Sequence, residues 1–311
     1  ITVRDWSSDV CSSDLAALVV IVVVAAGAQQ WLSQTNNGGQ VGPPEASEAT
    51  MVTQPEHCPR VEVLVAPGTW ESSKTDDPFN PTANPNSFML NISRPLQETY
   101  PAHEVKVWTL PYTAQFKNIN SQNEMPYDES REEGIATMET EMRDVFRECP
   151  LTDYVLTGFS QGAVIAGDIA NKIGTGTGVV PAERIRGVAL IADGRREPNV
   201  GQHVGNPVGG VGAEIALQPL NLLVQPVVPG ATMRGPRQGG FGALNDRTFE
   251  ICAPNDAICD APREIGNALG RATEMVQANG VHSVYATNPY VIPDTTANQW
   301  VLEWAKGLIN Q

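Results

Sequence analysis

Basic residues are scarce in this chain. Across 311 residues, 20 Lys and Arg stand against 35 Asp and Glu, a net charge of −15. Such a surface cannot neutralise phosphates, which excludes nucleic acid as a partner. Histidine is nearly as rare: His57, His103, His203 and His282 are all there are, so any chemistry that needs an imidazole has few candidates. No C-x-x-C pair occurs and the cysteines are widely scattered, which argues against zinc; neither a metal nor an organic cofactor is expected. No apolar run reaches the roughly 20 residues of a comfortable membrane span, and there are no internal repeats. What the chain does have is a hydrophobic share of 41%, enough for one large domain or two small ones.

The N-terminus divides by composition. Residues 1–15 have no apolar periodicity, and the stretch from Asp5 to Leu15 is what a common sequencing adapter encodes in one reading frame. We read it as an artefact and exclude it from fold reasoning; the alternative is a genuine polar terminus. Residues 16–28 are continuously apolar and end in Ala26-Gly27-Ala28. That segment fits a signal-peptide core or a truncated membrane anchor, and either predicts an exported protein, secreted or held at the cell envelope. Residues 29–57, rich in Gly, Pro, Gln and Asn, read as a flexible linker before a folded domain at 58–311. Setting Cys11 aside leaves Cys58, Cys149, Cys252 and Cys259, an even set that suggests two disulfides in an oxidising compartment.

Apolar runs at 61–66, 105–110, 154–156 and 184–192 have strand character. Helical stretches are expected near 87–99, at 128–148, from 163 to about 174 and at 297–308. At 128–148 the residues Ile135, Met138, Met142, Val145 and Phe146 share one side. Strands alternating with helices imply an α/β fold, a mainly parallel sheet covered on both faces. Residues 194–250 differ. They are rich in Gly and Pro and carry an apolar piece, 217–228, without helix period, which suggests a lid or binding loop; the alternative is that these residues pad the domain core.

Gly158-Phe159-Ser160-Gln161-Gly162 follows the apolar run at 154–156 and opens the helix. Strand, G-x-S-x-G turn and helix describe a nucleophile elbow, which predicts a serine hydrolase; a plain βα turn is the alternative. The base must come late in the chain, after an acid. His57 and His103 precede Ser160, and His203 has few carboxylates between it and the serine, so His282 is the candidate. Order alone does not choose the acid. Cys252 and Cys259 would close a small ring carrying Asp256, whose rigidity would suit a residue that orients an imidazole; Asp193, at the end of a predicted strand, is second.

These motifs, together with Cys58-Pro59, Ala66-Pro67-Gly68-Thr69-Trp70-Glu71-Ser72 and Tyr112-Thr113-Ala114-Gln115-Phe116, resemble the cutinase family of serine esterases, α/β-hydrolases with a small open sheet. Within it the chain most resembles the cutinase-like envelope lipases of mycolic-acid-containing actinobacteria. The resemblance implies a three-layer α/β/α sandwich, with Ser160 as nucleophile, Asp256 as acid and His282 as base. It implies disulfides Cys58–Cys149 and Cys252–Cys259, and an oxyanion hole from the N–H groups of Gln161 and Thr69, where cutinases usually carry serine. A lipid or other hydrophobic ester is the expected substrate, met at a membrane or envelope by a monomer. An acyltransferase with the same three residues and a non-catalytic lipid-binding module are the alternatives.

Overall fold

The computed structural model describes residues 53–263, 270, 273 and 280–311. The chain divides into two units, Ile1–Met51 and Val52–Gln311, and every described residue lies in the second. The readings of 1–15 and 16–28, and of the linker up to residue 52, fall outside the described residues. Contacts with the domain begin ahead of Cys58: the Leu151 N–H donates to Gln54 Oε1 at 2.8 Å, and His57 Nε2 lies 2.8 Å from Glu148 Oε1.

Six strands form one sheet: β1 (Val61–Ala66), β2 (Val105–Thr109), β3 (Asp153–Phe159), β4 (Ile185–Ile191), β5 (Gln202–Val204) and β6 (Thr248–Ile251). Their spatial order is β2-β1-β3-β4-β6-β5, and every pairing is parallel. Parallel neighbours need crossovers, and those crossovers put helices on both faces. Among the described residues the α-helices are α1 (Leu90–Thr99), α2 (Tyr127–Glu148), α3 (Gln161–Gly174), α4 (Ala213–Leu217), α5 (Asn221–Val224) and α6 (Ala297–Ile309).

Side chains alternate across β1, so one strand feeds two cores. Val61, Val63 and Val65 join Met89, Ile92 and Leu96 beside α1 and Ala297, Val301, Ala305 and Ile309 of α6. Leu64 and Ala66 face the opposite layer, with Met138 and Met142 of α2 and Ile165, Ile169 and Ile173 of α3. Ile135, Val145 and Phe146 pack at its margin, as the 3.6-residue spacing predicts. The result is the expected three-layer α/β/α sandwich. The Cys58–Cys149 disulfide ties the start of the domain to the end of α2.

Glu62, on the α2-facing side of β1, is wholly buried. Lys106 Nζ stands 3.1 Å from its Oε1, off hydrogen-bond geometry, and Lys106 also bonds Glu141. Burial outweighs the attraction of Lys106 and, with Glu141 nearby, pushes the Glu62 carboxyl up to about 8. A folded-state value above the unfolded one means that the folded protein holds this proton more tightly. The stabilisation is full below the ordinary carboxylate range and is lost as pH rises through about 8. Glu62→Gln, neutral throughout, should therefore gain melting temperature relative to wild type between pH 5 and pH 9. An advantage that shrinks or reverses over that range would mean that Glu62 is ionised against Lys106.

Candidate active site

The turn after β3 is set by close approach. Ser160 has φ +54° and ψ −119°, a conformation that a residue with a side chain holds only when its surroundings impose it. Its N–H is held by Ile191 O at 2.9 Å. A Cβ on Gly158 would lie 2.3 Å from Gly162 O, and one on Gly162 would lie 2.1 Å from Ala66 O. Both flanking positions must be glycine, and the second brings the start of α3 against the end of β1, where Thr69 follows.

His282 lies in a single 3-10 turn, His282–Val284. Its Nε2 is 2.9 Å from Ser160 Oγ, and its Nδ1 is 2.9 Å from Asp256 Oδ2. The ring stacks on Phe159, with centroids 5.0 Å apart and planes 21° from parallel. Asp256 is fully buried within the ring closed by the Cys252–Cys259 disulfide. Its carboxylate also accepts from Tyr285 Oη at 2.7 Å and from the Ile258 N–H at 2.9 Å. Tyr285 Oη in turn accepts from the Ala253 N–H at 2.8 Å. Burial, followed by the Asp256 charge, pushes the Tyr285 phenol well up, so it stays a donor.

Thr69 and Gln161 meet beside Ser160: Thr69 Oγ1 donates to Gln161 Oε1 at 3.1 Å. The Thr69 N–H has no acceptor among the described residues. The Gln161 N–H is first in α3, ahead of intrahelical bonding. The loop that carries Thr69 hangs on Glu71, whose carboxylate accepts from the N–H groups of Gly68 at 3.1 Å and Phe88 at 3.0 Å and from Ser87 Oγ at 3.1 Å. Burial raises the Glu71 carboxyl, against the pull of these donors.

A cavity of about 300 Å³ opens over Ser160, within the size range of small-molecule sites. Phe116, Tyr127, Val164, Ala213, Met233 and Ile258 form an apolar wall, while Glu71, Asn86 and Asn91 lie among its polar lining. Phe116, Tyr127 and Met233 belong to a separate small core with Leu217, Val224, Val227 and Val228. The Gly/Pro-rich stretch is thus built into the cavity wall through short helical turns, where the sequence shows no helix period.

That stretch is anchored by ions. Arg237, buried, reaches Asp168 Oδ1 at 2.8 Å and Asp193 Oδ2 at 2.5 Å and donates to Val164 O at 3.3 Å. Arg195 and Arg234 also reach Asp168, at 2.8 and 2.5 Å, and Arg234 Nε binds Glu214 Oε2 at 2.8 Å. Burial opposes the Asp168 charge, yet Arg237, Arg234 and Arg195 together hold its carboxyl well below the usual range.

Ser160, His282 and Asp256 come together from three separate stretches. Asp193, second in the sequence reading, is held in the fork of Arg237 instead. His203 is exposed on β5 and bonds Asn206 O, and His57 and His103 pair with Glu148 and Glu104. Sequence reasoning missed Tyr285, Glu71 and the arginine cluster. Only Glu71 had a local signal, two residues after Thr69.

A serine on a left-handed turn at the carboxyl end of a central parallel strand, facing an imidazole from a late loop, marks an α/β-hydrolase. Comparison with known proteins narrows the class. The family model described as cutinase matches residues 57–279, and the chain belongs to the cutinase family of carboxylic ester hydrolases. It is 66% identical over 273 residues to a carboxylesterase Culp6 homolog from Corynebacterium glutamicum, covering 88% of each chain. Similar solved structures include the catalytic core of an acetyl xylan esterase from Trichoderma reesei, with 17% identity, 72% of this chain and 98% of that one covered, and a TM-score of 0.45. A cutinase-like protein from a Cryptococcus species shows 17% identity, 83% and 98% coverage, and a TM-score of 0.43.

Proposed function

We propose that the chain hydrolyses carboxylic esters of lipids through an acyl-enzyme on Ser160. The observation that carries this reading is the unbroken line from Ser160 Oγ through His282 to Asp256, with 2.9 Å at each step. His282 Nε2 takes the Ser160 proton as Oγ attacks the ester carbonyl. Asp256 accepts from Nδ1–H, which fixes the tautomer and steadies the imidazolium. The carbonyl oxygen, now negative, is received by the backbone N–H groups of Thr69 and Gln161. His282 passes its proton to the departing alcohol. A water then gives a proton to His282 as it attacks the acyl carbonyl, and the acid leaves as Ser160 regains its hydrogen.

Two features favour a lipid ester. The cavity has an apolar wall, and α5 carries Leu222 and Leu223 at 88% and 59% exposure beside Val224, which packs with Phe116 and Tyr127 of that wall. Exposed leucines on a helical turn whose Val224 joins the core behind that wall suit an aggregated, apolar substrate. Two disulfides in a chain of this kind support an exported enzyme, secreted or held at the envelope.

A panel of esters of increasing acyl length, run beside Ser160→Ala, tests the reaction. The pair Leu222→Asp/Leu223→Asp tests the substrate. It should lose about ten-fold or more on aggregated long-chain esters, while short soluble esters and the melting temperature stay within error. Equal losses at every chain length would remove the lipid reading. Val227→Asp is the contrast: Val227 is buried in the small core, so this change should lower stability and all activities together.

A further inference from the structure

A second depression meets the catalytic cavity. It holds about 480 Å³, and its lining includes Asn86, Asn91, Arg94 and Glu98, with Asn298 from the first turn of α6. Asn86 and Asn91 line both spaces, so the groove opens out of the cavity over Ser160 and runs down α1. Asn91, Arg94 and Glu98 succeed one another along that helix, and the first and last stand about 10 Å apart along its axis.

The polar groups of the groove are unspent. Among the described residues Arg94, Glu98 and the side-chain amide of Asn86 have no bonded partner. Asn91 Nδ2 donates to Phe88 O at 2.9 Å, and Asn298 Oδ1 accepts from Thr296 Oγ1 at 2.8 Å, which leaves an acceptor on the first amide and donors on the second. Donors and acceptors are thus interspersed, and the charges of Arg94 and Glu98 cancel. An anionic group finds no surplus of positive charge here, on a chain whose net charge is −15. A hydroxyl group, which donates and accepts at once, finds both kinds of partner.

An aromatic face stands at the mouth. Trp70 lines the cavity at 47% exposure and is held in place: its indole N–H donates to Glu124 Oε2 at 2.9 Å, and its carbonyl accepts from Asn84 Nδ2 at 3.1 Å. A large ring fixed in the open beside amides suits the C–H face of a sugar.

The position of the groove fits the chemistry. His282 gives its proton to the alcohol oxygen, so the alcohol departs beside the imidazole. That ring stacks on Phe159, and Phe159 meets Phe88 with centroids 4.7 Å apart; Phe88 lies between Asn86 and Asn91 in the chain. The apolar wall comes from other elements, among them Val164 of α3, Ala213 of α4 and Met233. We propose that the groove along α1 binds the alcohol half of the ester and that this alcohol is a sugar. The substrate is then an acyl sugar, which water splits into a free acid and a free sugar hydroxyl. A glycerol group would fill only the first part of the groove. This rests on the reading of Ser160 as nucleophile.

The test compares 6-O-hexanoylglucose with ethyl hexanoate, both below aggregation, on wild type and Asn86→Ala/Arg94→Met. Both side chains are exposed and hold no other residue, so the pair should fold as wild type does. Wild type should show the higher kcat/KM on the sugar ester, and the ratio of the two values should fall about ten-fold in the variant. A wild-type preference for the ethyl ester, or a variant in which the ratio does not move, would overturn the proposal. Hexanoyl glycerophosphate is the third substrate. A preference for it above the sugar ester, lost in Arg94→Met alone, would make the groove an anion site and would also overturn the proposal. The ratio decides this inference, and Ser160→Ala run alongside decides the reading beneath it. If Ser160→Ala is inactive on both esters while the ratio is unmoved, this inference alone fails; if it stays active, the nucleophile assignment fails.

Discussion

Ser160→Ala should lower kcat by about 10⁴- to 10⁶-fold, with the melting temperature unchanged or raised. The size follows from the covalent step: without Oγ no acyl-enzyme forms, and what remains is the modest help of a site that still binds ester and receives a negative oxygen. His282→Ala should cost about as much, since Oγ then has no group to take its proton. Asp256→Asn should cost about 10⁴-fold, because an amide can donate to Nδ1 and hold the imidazole in the wrong tautomer. The losses should be far from additive, and Ser160→Ala/His282→Ala should be little worse than either single change. Parallel steady-state kinetics on one soluble ester decide this. Losses that multiply across the pair would mean that the serine and histidine do not act as one unit.

Arg237→Met should be the most destabilising change outside the two cores. Arg237 is enclosed, with its guanidinium between Asp168 and Asp193 and over the ring of Phe241 at 5.5 Å. Methionine fills part of the space and leaves Asp193 buried without its cation, beside Glu250, whose carboxyl burial and then the Asp193 charge push well up. Removing one partner of a buried ion pair typically costs about 3–5 kcal/mol, which for a domain of this size lowers the melting temperature by roughly 10 °C. Arg237→Met/Asp193→Asn should recover part of that loss by removing the stranded charge. Thermal and urea unfolding measure both, and a single variant within about 0.5 kcal/mol of wild type would show that the cluster contributes little. Because Arg237 also donates to Val164 O on α3, activity below the melting temperature reports whether the cavity wall has shifted.

Most of the fold is legible in the sequence because most of it follows local pattern. β1 to β4 are apolar runs buried on both faces, and α2 and α6 repeat their apolar residues at helical spacing. β5 and β6 escape notice for physical reasons. β5 is a three-residue edge strand, Gln202–Val204, with little buried surface. β6 carries Glu250 in the middle of a buried strand, and an acid there breaks the apolar signal. The stretch after residue 212 is opaque in the same way. Proline at 219, 226 and 229 limits its helices to single turns, too short for a period, and half of its apolar residues face a core that no neighbouring segment announces.

The site divides similarly. Ser160 is legible from its turn, and His282 and Asp256 from chain order and the cysteine ring, because each obeys a rule of spacing. The Asp168–Arg195–Arg234–Arg237 cluster joins residues 27 to 69 positions apart, with no motif linking them. Tyr285, three residues beyond His282, looks like any buried tyrosine until its hydroxyl is placed on Asp256. Gln161 is visible as part of the elbow, but the direction of its amide is a matter of three-dimensional contact with Thr69.

The central claim is that Ser160 is the nucleophile, activated by His282. Treating the protein with a serine-directed phosphonate and mapping the adduct by peptide mass spectrometry tests it most directly. Stoichiometric label on Ser160, lost in His282→Ala as well as in Ser160→Ala, is the predicted result. Label on another serine with Ser160 unmodified, or full labelling without His282, would contradict it.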